Sequence, residues 1–274
     1  MIELGIVDIR EINKAIKSVC NFDFANYALT SFKQRLERIM KLYNIGTADS
    51  FIIKLQNEPD FLDIFLYEIS VPSTEMFRDP SLWRWLREEF LPQSVQRNIG
   101  KFKIWLPQCV SGGELFSLVI LLKEIDLLNN VQIIATSFSD KSIEFIRNGY
   151  YDLKKIEVSD ENYRRFNGSR ELSAYYKTDR NMALRDTSLI EDVEFKKLSI
   201  NFDNAPYNNK LILFRNNLIY FNPSYQDRVV SMLYQSLSVS GYLILGIRER
   251  IPSISASREF ELVNETESIF RRKS

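Results

Sequence analysis

The spacing of apolar residues changes once along this chain, near residue 100, and that change constrains the fold more than any other feature. Before it, apolar side chains recur at helical spacing, as they do at Leu29, Phe32, Leu36, Ile39 and Tyr43. After it, short apolar runs such as FKIWL (102–106) alternate with helical stretches. Alternating strands and helices predict a doubly wound, mostly parallel sheet. The predicted fold class is therefore α/β, with an all-helical N-terminal domain ahead of the sheet.

Short apolar runs and one polar stretch divide the chain further. The apolar runs predict strands at 102–106, 131–136, 211–214 and 242–246. Residues 150–200 are polar and weakly periodic, so we interpret them as an insertion that forms a small antiparallel β subdomain. The predicted boundaries are a helical domain at 1–72, a linker and connecting helix at 73–100, and the sheet domain at 101–274.

Several residues predict where helices begin and end. Asp79 is a good N-cap for the connecting helix, because a proline follows it at the first helical position. Pro92 predicts the end of that helix. Ser139 is predicted to cap the helix after the second strand, and Asn222, again followed by proline, opens a later helix.

Composition excludes several classes of function. Histidine is absent from the 274 residues, which removes imidazole acid–base chemistry, serine–histidine triads and most zinc sites, so no metal site is predicted. The 36 basic and 36 acidic residues cancel, and no nucleic-acid partner is expected. Cys20 and Cys109 form no CxxC pair. We expect neither a signal peptide nor a membrane span, and hence a cytoplasmic protein.

The predicted topology gives the place of a ligand site. In open parallel sheets, ligands bind beyond the carboxyl ends of the strands. The candidate site is therefore formed by the segments that follow the strands at 102–106, 131–136 and 211–214. This step does not identify the ligand.

Two motifs near this edge resemble those of a known family. STEMFRDP (73–80) is similar to T-x-F-F-R-D-P, with Met76 in place of the first phenylalanine. QCVSGGELFSL (108–118) is similar to G-C-S-T-G-E-E-P-Y-S-L, and the matching residues are Cys109, Gly112, Glu114, Ser117 and Leu118. The first motif is specific, because a turn, a cap and a cationic residue coincide in it.

Two further segments, in the same order as in the family, extend the match. IIATSFSDKSIEFIRNGYY (133–151) is similar to I-x-A-T-D-I-x-x-x-x-L-x-x-A-R-x-G-x-Y, with Ser137 in place of the aspartate. RNNLIYF (215–221) is similar to R-N-V-L-I-Y-F. Over nearly its whole length the chain thus resembles the CheR-type chemotaxis-receptor methyltransferases.

The resemblance implies a fold, a reaction and a set of site residues. The fold is a Rossmann-like S-adenosylmethionine (SAM) methyltransferase sheet, and the reaction methylates glutamate side chains of chemoreceptors, with S-adenosylhomocysteine (SAH) as product. The methyl acceptor is a chemoreceptor or another signalling protein, and contact with a membrane is expected only through that partner. Catalytic roles are implied for Arg78 and Tyr220. Cofactor contacts are implied for Thr74, Arg78, Cys109, Gly112, Glu114, Ser137, Asn201, Arg215, Asn216 and Asn217.

Each implied role has a structural alternative. Arg78 pairs with Asp79 in the simplest alternative, Glu114 is favoured at a helix start in any case, and Asn201 also suits a turn. A basic helix face, which in the family helps to dock acidic receptor helices, is also explained as a solvated surface; it carries Lys33, Arg35, Arg38 and Lys41.

An alternative function class also follows from departures within the motifs. Gln108, Gly113 and Ser137 replace a glycine, a glutamate and an aspartate of the family pattern. A serine makes one uncharged hydrogen bond to a ribose where an acid makes charged ones, and losing a charged bond costs about 1.5–3 kcal/mol. The alternative is therefore a degenerate relative that keeps the fold as a binding or regulatory module. A more remote one is a SAM enzyme with a small-molecule acceptor.

Overall fold

The N-terminal part of the chain is a helical domain, as predicted. A computed structural model describes residues 3–70, 75–179, 182–198, 201–251 and 258–273. The helices of this domain are α1 (Ile6–Cys20), α2 (Leu29–Leu42), α3 (Ala48–Asn57) and α4 (Pro59–Ile69). Helix α2 buries Phe32, Leu36 and Ile39 of its predicted apolar stripe, whereas Leu29 at its start is 56% exposed.

The remaining helices belong to the second domain. They are α5 (Pro80–Trp85), α6 (Leu91–Gln96), α7 (Gly113–Glu124), α8 (Asp140–Arg147), α9 (Ile156–Phe166) and α10 (Pro223–Ser236). Short 3₁₀ turns lie at Phe24–Asn26, Leu128–Asn130, Leu153–Lys155, Leu172–Tyr175, Thr187–Ile190 and Leu218–Tyr220. Within the described ranges, these helices are all too short or too polar to cross a membrane.

A mostly parallel sheet organises the second domain and confirms the predicted fold class. The strands are β1 (Phe102–Leu106), β2 (Val131–Ser137), β3 (Tyr150–Asp152), β4 (Tyr176–Asp179), β5 (Met182–Arg185), β6 (Glu194–Lys197), β7 (Asn209–Phe214), β8 (Leu237–Leu245), β9 (Phe260–Asn264) and β10 (Ile269–Arg272). Seven of them form one sheet in the order β6-β2-β1-β7-β8-β10-β9. Within it β10 is antiparallel to both of its neighbours, and the pairs from β6 to β8 are parallel.

The two faces of this sheet belong to two separate apolar cores. Side chains alternate along β7, as they must in a strand. Ile212 and Phe214 join the core of the helical domain, which includes Phe65. Leu211 and Leu213 join the core on the other face, which α7 covers. The helical domain therefore packs directly on one face of the sheet.

The connecting helix does not end at Pro92, and that prediction is wrong. A π-helical turn at Leu86–Phe90 links α5 to α6, and Pro92 lies in the first turn of α6. At this point the Leu91 N–H donates to the Leu86 carbonyl, five residues back. Because the hydrogen-bond pattern already changes here, the missing N–H of proline is tolerated.

The insertion contains the predicted antiparallel sheet, but it ends earlier than residue 200. Strands β3, β5 and β4 form a three-stranded antiparallel sheet in that order. Strand β6 lies in the same sequence interval, yet it pairs in parallel with β2 at the edge of the main sheet. Its sequence, EFKK, is too polar to be recognised as a sheet strand.

A carboxylate of the helical domain caps a helix of the sheet domain. The Ser139 side chain makes no capping bond to α8, contrary to the prediction, and donates instead to Asp63 of α4 at 2.9 Å. Asp63 also accepts from the backbone N–H groups of Asp140 and Lys141, both at 2.9 Å. The cap of α8 is therefore supplied by α4, which fixes the helical domain against the sheet domain.

Candidate active site

A cleft opens at the carboxyl edge of the sheet, between the ends of β1 and β7. In the sheet, β2 lies on one side of β1 and β7 lies on the other, so the strand order reverses at β1. Ligands of doubly wound sheets bind at this point. The cleft encloses about 60 Å³, room for a few water molecules. Eight of the eleven residues that the sequence indicated line it: Arg78, Cys109, Gly112, Glu114, Arg215, Asn216, Asn217 and Tyr220.

The loop after β1 follows a backbone path that suits glycine. Gln108 and Gly112 have positive φ angles of 53° and 74°. A Cβ at Gly112 would lie 3.1 Å from side-chain atoms of Ile146, so glycine is favoured by both conformation and space. Gly112 begins α7, whose first turn lines the cleft. The unpaired N–H groups of that turn are therefore available to a ligand.

Three charged side chains beside the cleft form a buried clamp. Arg215 is 2% exposed and contacts Glu114 at 2.8 Å and Asp79 at 2.5 Å. Burial raises the pKa of the Glu114 carboxyl, against the lowering effect of Arg215. The clamp ties the loop after β7 to α7 and to the segment ahead of α5. The sequence predicted cofactor contacts for Arg215 and Glu114; the structure shows them bonded to each other.

Asp79 has a different partner from the one predicted. It occupies the N-cap position of α5, but its side chain makes no capping bond, and its φ angle is 57°. The carboxylate points instead to Arg215, 136 residues away in sequence. Residues before a proline are disfavoured in the helical region, and the ion pair holds Asp79 in the left-handed one.

Arg78 is held through its backbone and leaves its charge free. Its carbonyl accepts from the Trp83 indole at 2.8 Å and from Arg215 at 3.3 Å. The neighbouring Phe77 N–H donates to Ser117 at 2.7 Å. Among the described residues the Arg78 guanidinium has no ion-pair partner, although it lines the cleft. The alternative in which Arg78 pairs with Asp79 is not observed.

The turn after β7 places amide groups at the cleft. The Asn216 N–H donates to Glu249 at 2.8 Å, and the Asn217 side chain donates to the Arg215 carbonyl at 2.9 Å. Within the described residues, Asn216 Nδ2 and Gln108 Oε1 are buried without a hydrogen-bond partner. Arg215 Nε is also buried without a partner, so the residues that line the cleft offer two unsatisfied donors and one unsatisfied acceptor, which is the arrangement expected where a ligand completes the bonding.

Glu249 supports this turn and was not indicated as a site residue by the sequence. It is 3% exposed and accepts from the backbone N–H groups of Gly246 at 2.7 Å and Asn216 at 2.8 Å. Burial raises the pKa of the Glu249 carboxyl, while these backbone donors lower it. Glu249 is therefore a positioning residue for the amide groups of Asn216.

Tyr220 joins the cleft to the helical domain. The guanidinium of Arg35, from α2, lies 4.1 Å from the centre of the Tyr220 ring, and the Tyr220 carbonyl accepts from Ala28. Arg35 also donates to the Ile69 carbonyl at 2.5 Å. Of the four residues indicated for a basic docking face, Arg35 therefore points inward, and Arg38 pairs with Glu68 at 2.8 Å.

Arg185 braces the loop after β1 and carries no motif in the sequence. It is 3% exposed, and its guanidinium lies 4.0 Å from the ring centre of Phe116. From β5 of the insertion it donates to the carbonyls of Ser111 at 2.9 Å and Tyr150 at 2.7 Å. Burial lowers the pKa of Arg185 to about 9. The buried Arg185 guanidinium thus connects the insertion to the loop after β1.

Two of the indicated residues do not line the cleft, and a third is not described. Ser137 is buried at the end of β2 and does not line it. Asn201 donates its side-chain amide to the Asn21 carbonyl at 2.9 Å, at the end of α1. Thr74 lies outside the described residues. Cys109 does line the cleft, but burial raises the pKa of its thiol to about 12, so it is no thiolate at neutral pH.

Fold and site together define a class: an α/β protein that binds a ligand at the switch point of a doubly wound sheet, ahead of a helical domain packed on that sheet. The comparison with known families agrees. Residues 7–70 match the family described as CheR methyltransferase, all-alpha domain, and residues 72–269 match CheR methyltransferase, SAM binding domain. The chain belongs to the CheR family and is a SAM-dependent methyltransferase.

Curated relatives of similar length support this membership. The Pseudomonas putida protein Cher3 is 31% identical over 97% of each chain. A chemotaxis protein methyltransferase of Listeria monocytogenes is 25% identical over 87% of this chain and 88% of its own. Chemotaxis protein methyltransferase 1 of Pseudomonas aeruginosa is 25% identical over 80% of this chain and 81% of its own.

Proposed function

We propose that this chain transfers the methyl group of SAM to glutamate side-chain carboxylates of a chemoreceptor. The observation that supports this most directly is Arg78, which lines the cleft, as Tyr220 does, and whose guanidinium has no ion-pair partner among the described residues. A guanidinium holds a carboxylate by two parallel charge-assisted hydrogen bonds. The printed names of the Listeria and P. aeruginosa relatives support the same class of acceptor.

The polar groups of the cleft fit the parts of SAM. The free N–H groups of the α7 first turn suit its carboxylate, and Glu114 suits its amino group. The unsatisfied acceptor of Gln108 and the unsatisfied donor of Asn216 suit a base that offers both kinds of partner. When bound, SAM supplies a methyl group on a positively charged sulfur and leaves as a neutral thioether.

The protein then has to orient SAM and the acceptor carboxylate and to exclude water, and the reaction needs no acid or base catalyst. A glutamate carboxylate is ionised at neutral pH and is already a nucleophile. In this proposal Arg78 and Tyr220 fix the acceptor carboxylate, and the clamp of Arg215 and Glu114 keeps the walls of the cleft in place. Orientation of two reactants accounts for about 7–11 kcal/mol of the barrier in well-aligned cases.

The cleft has to widen for this to occur. Pockets that hold ligands of this size enclose about 300–1,000 Å³, whereas the cleft encloses about 60 Å³. Gln108 is 7% exposed and lies in the wall. Displacement of its side chain would enlarge the space.

A methylation assay on a receptor cytoplasmic fragment tests the proposal. The purified chain, radiolabelled SAM and the fragment are incubated, and the product is treated with alkali. Carboxyl methyl esters release methanol under alkali, whereas methylated amines do not, so volatile label identifies the acceptor group. A fragment with glutamines at the accepting positions is the matched control, and peptide mass spectrometry gives the modified residue.

Three results would contradict it. Label that is stable to alkali, or equal label on the glutamine fragment, points to another acceptor. Calorimetry with SAH supplies the third: no binding by the native chain, with binding restored in Gln108→Gly, would assign the chain to the alternative of a degenerate binding module.

A further inference from the structure

The amino edge of the main sheet carries a second, larger depression, away from the cleft. This groove encloses about 910 Å³ and lies at the starts of β1, β2, β6 and β7. Lys103 of β1 is in register with Gln132 of β2, and the next residue of β1 pairs with Leu211, which follows Lys210. Residues at paired positions share one face of a sheet. Adjacent strands therefore present Lys103, Gln132 and Lys210 side by side.

Charged residues at these positions are unusual for such a sheet. Strands of a doubly wound sheet are covered on both faces and are expected to be apolar in their interior positions. Here Lys103 and Lys210 are half-buried within β1 and β7. Partial burial lowers the pKa of Lys103, Glu194 opposes that shift, and Lys196 adds to it. Burial of a charged group is less favourable than burial of an apolar one, so lysines at these positions are not explained by the needs of a core.

The groove is strongly positive although the chain is neutral overall. Lys196 pairs with the single acidic residue that lines it, Glu194, at 2.7 Å. Four further basic residues have no ion-pair partner among the described residues: Arg97, Lys101, Lys103 and Lys210. A local excess of four positive charges attracts an anionic partner.

Apolar side chains stand beside these charges. Ile99 is 101% exposed in the turn between α6 and β1, and Tyr207 is 76% exposed. The Lys103 ammonium donates to the Tyr207 carbonyl at 2.8 Å and lies 5.2 Å from its ring centre. Large exposed apolar residues next to unpaired charges are typical of interaction surfaces.

We propose that this amino-edge groove binds an acidic peptide segment of a partner protein. Carboxylates of the segment pair with Arg97, Lys101, Lys103 and Lys210, and an apolar side chain packs against Ile99 and Tyr207. A peptide fits better than a nucleic acid, because one exposed aromatic ring and a neutral chain lack the rows of stacking rings and the basic field of nucleic-acid sites. The groove lies at the opposite edge from the cleft, so this proposal does not rest on the proposed function.

Fluorescence anisotropy with the full chain tests the groove. The probe is a labelled glutamate-rich peptide with a central leucine, compared with the same peptide carrying glutamine for glutamate and with a single-stranded oligonucleotide. The variant combines Lys103→Glu and Lys210→Glu, and its matched control combines Lys14→Glu and Lys177→Glu, two exposed lysines on other elements. We expect the groove variant to bind about tenfold more weakly than the native chain, and the control to bind as the native chain does.

Each remaining outcome bears on the proposal. Weaker binding at higher salt supports it, because salt screens charges that water can reach. Lys103→Gln with Lys210→Gln removes charge without reversing it, and an intermediate loss with unchanged thermal unfolding also supports it. Equal binding of the glutamine peptide, equal loss in the control variant, absence of peptide binding, or binding of the oligonucleotide in its place would overturn it.

Discussion

The two edges of the main sheet differ in whether their charged side chains form ion pairs. At the carboxyl edge, Arg215 is buried between Glu114 and Asp79, so the charges that hold the walls satisfy one another. At the amino edge, basic side chains such as Lys103 and Lys210 stand without ion-pair partners in the described part of the chain. The comparison shows that the charges of the clamp are paired with one another at the carboxyl edge, whereas several basic side chains at the amino edge have no ion-pair partner among the described residues.

Removal of the central cation of the clamp gives the largest expected difference between the edges. Arg215→Met leaves Glu114 and Asp79 without their partner in a buried site, and such losses cost about 3–5 kcal/mol. Lys210→Met at the amino edge is expected to change stability by about 0.5 kcal/mol or less. Urea unfolding of both variants gives the two free energies. Similar values would show that the clamp is not what distinguishes the edges.

Arg78 tests whether the carboxyl edge keeps one charge for a ligand. Arg78→Ala removes a charge-assisted hydrogen bond worth about 1.5–3 kcal/mol, so affinity for SAH or for the receptor fragment falls about ten- to a hundredfold. Unfolding should be unchanged, because the guanidinium has no ion pair among the described residues. Calorimetry with SAH and the KM for the receptor fragment show which of the two ligands loses affinity.

Arg78→Lys is the companion to that variant. It keeps the charge but loses the planar fork, so its affinity should lie between those of the native chain and Arg78→Ala. If Arg78→Ala binds both SAH and the fragment with native affinity, Arg78 does not bind either ligand. The two edges would then not differ in this respect.

Asp63 is a carboxylate of intermediate burial. The pH dependence of its contribution to stability gives a third point of comparison between buried and exposed charges. Partial burial raises the pKa of Asp63, but two backbone N–H donors, Lys197 and Ser139 outweigh it, so the net pKa lies below its ordinary value. A depressed carboxyl pKa stabilises the fold above the unfolded-state pKa, and that contribution disappears as pH falls through the folded-state pKa. Asp63→Asn should cost about 1 kcal/mol at neutral pH, a typical value for a helix cap.

Urea unfolding across the acid range checks this sign. The difference between native chain and Asp63→Asn should shrink as pH falls below about 4 and vanish in strong acid. Glu161→Gln, at an exposed position on α9, is the control and should show little difference at any pH. A difference that grows in acid would be incompatible with the interdomain cap.

The smallest expected effect concerns the wall of the cleft. Gln108 has a φ angle of 53°, and a non-glycine residue in that region costs about 1–2 kcal/mol. Gln108→Gly relieves that strain and clears space, so SAH affinity should rise a few-fold. Gln108→Ala clears the same space but keeps the strain, and comparison of the two by calorimetry separates the causes. A fall in affinity for both would show that the Gln108 amide itself holds the ligand.

Local patterns predicted most of the elements and the location of the cleft, because both depend on periodicity and strand ends. The runs FKIWL and VQIIAT became β1 and β2, and the loop after β1 lines the cleft as expected. Strand β6 was missed because its residues are polar and lie at the protein surface, where no apolar pattern is required. Patterns of apolar residues detect burial, so they cannot detect an element whose side chains face solvent.

The bonding partners within the site were not predictable in the same way. Asp79 suits an N-cap by local rules, but its carboxylate pairs instead with Arg215, 136 residues away. Arg185 lies in a polar stretch with no motif and reaches Ser111 across 74 residues. Such contacts depend on how distant elements pack, which residue spacing along the chain does not encode.

The contact between Arg35 and Tyr220 has a consequence for engineering. A chimaera that exchanges residues 1–70 for those of a relative, in order to change the acceptor, would also replace the cation beneath Tyr220 and the apolar cover of Ile212 and Phe214. Grafting the helical part therefore also alters the contacts that Tyr220 makes at the edge of the cleft. A successful graft has to carry the matching sheet face with it.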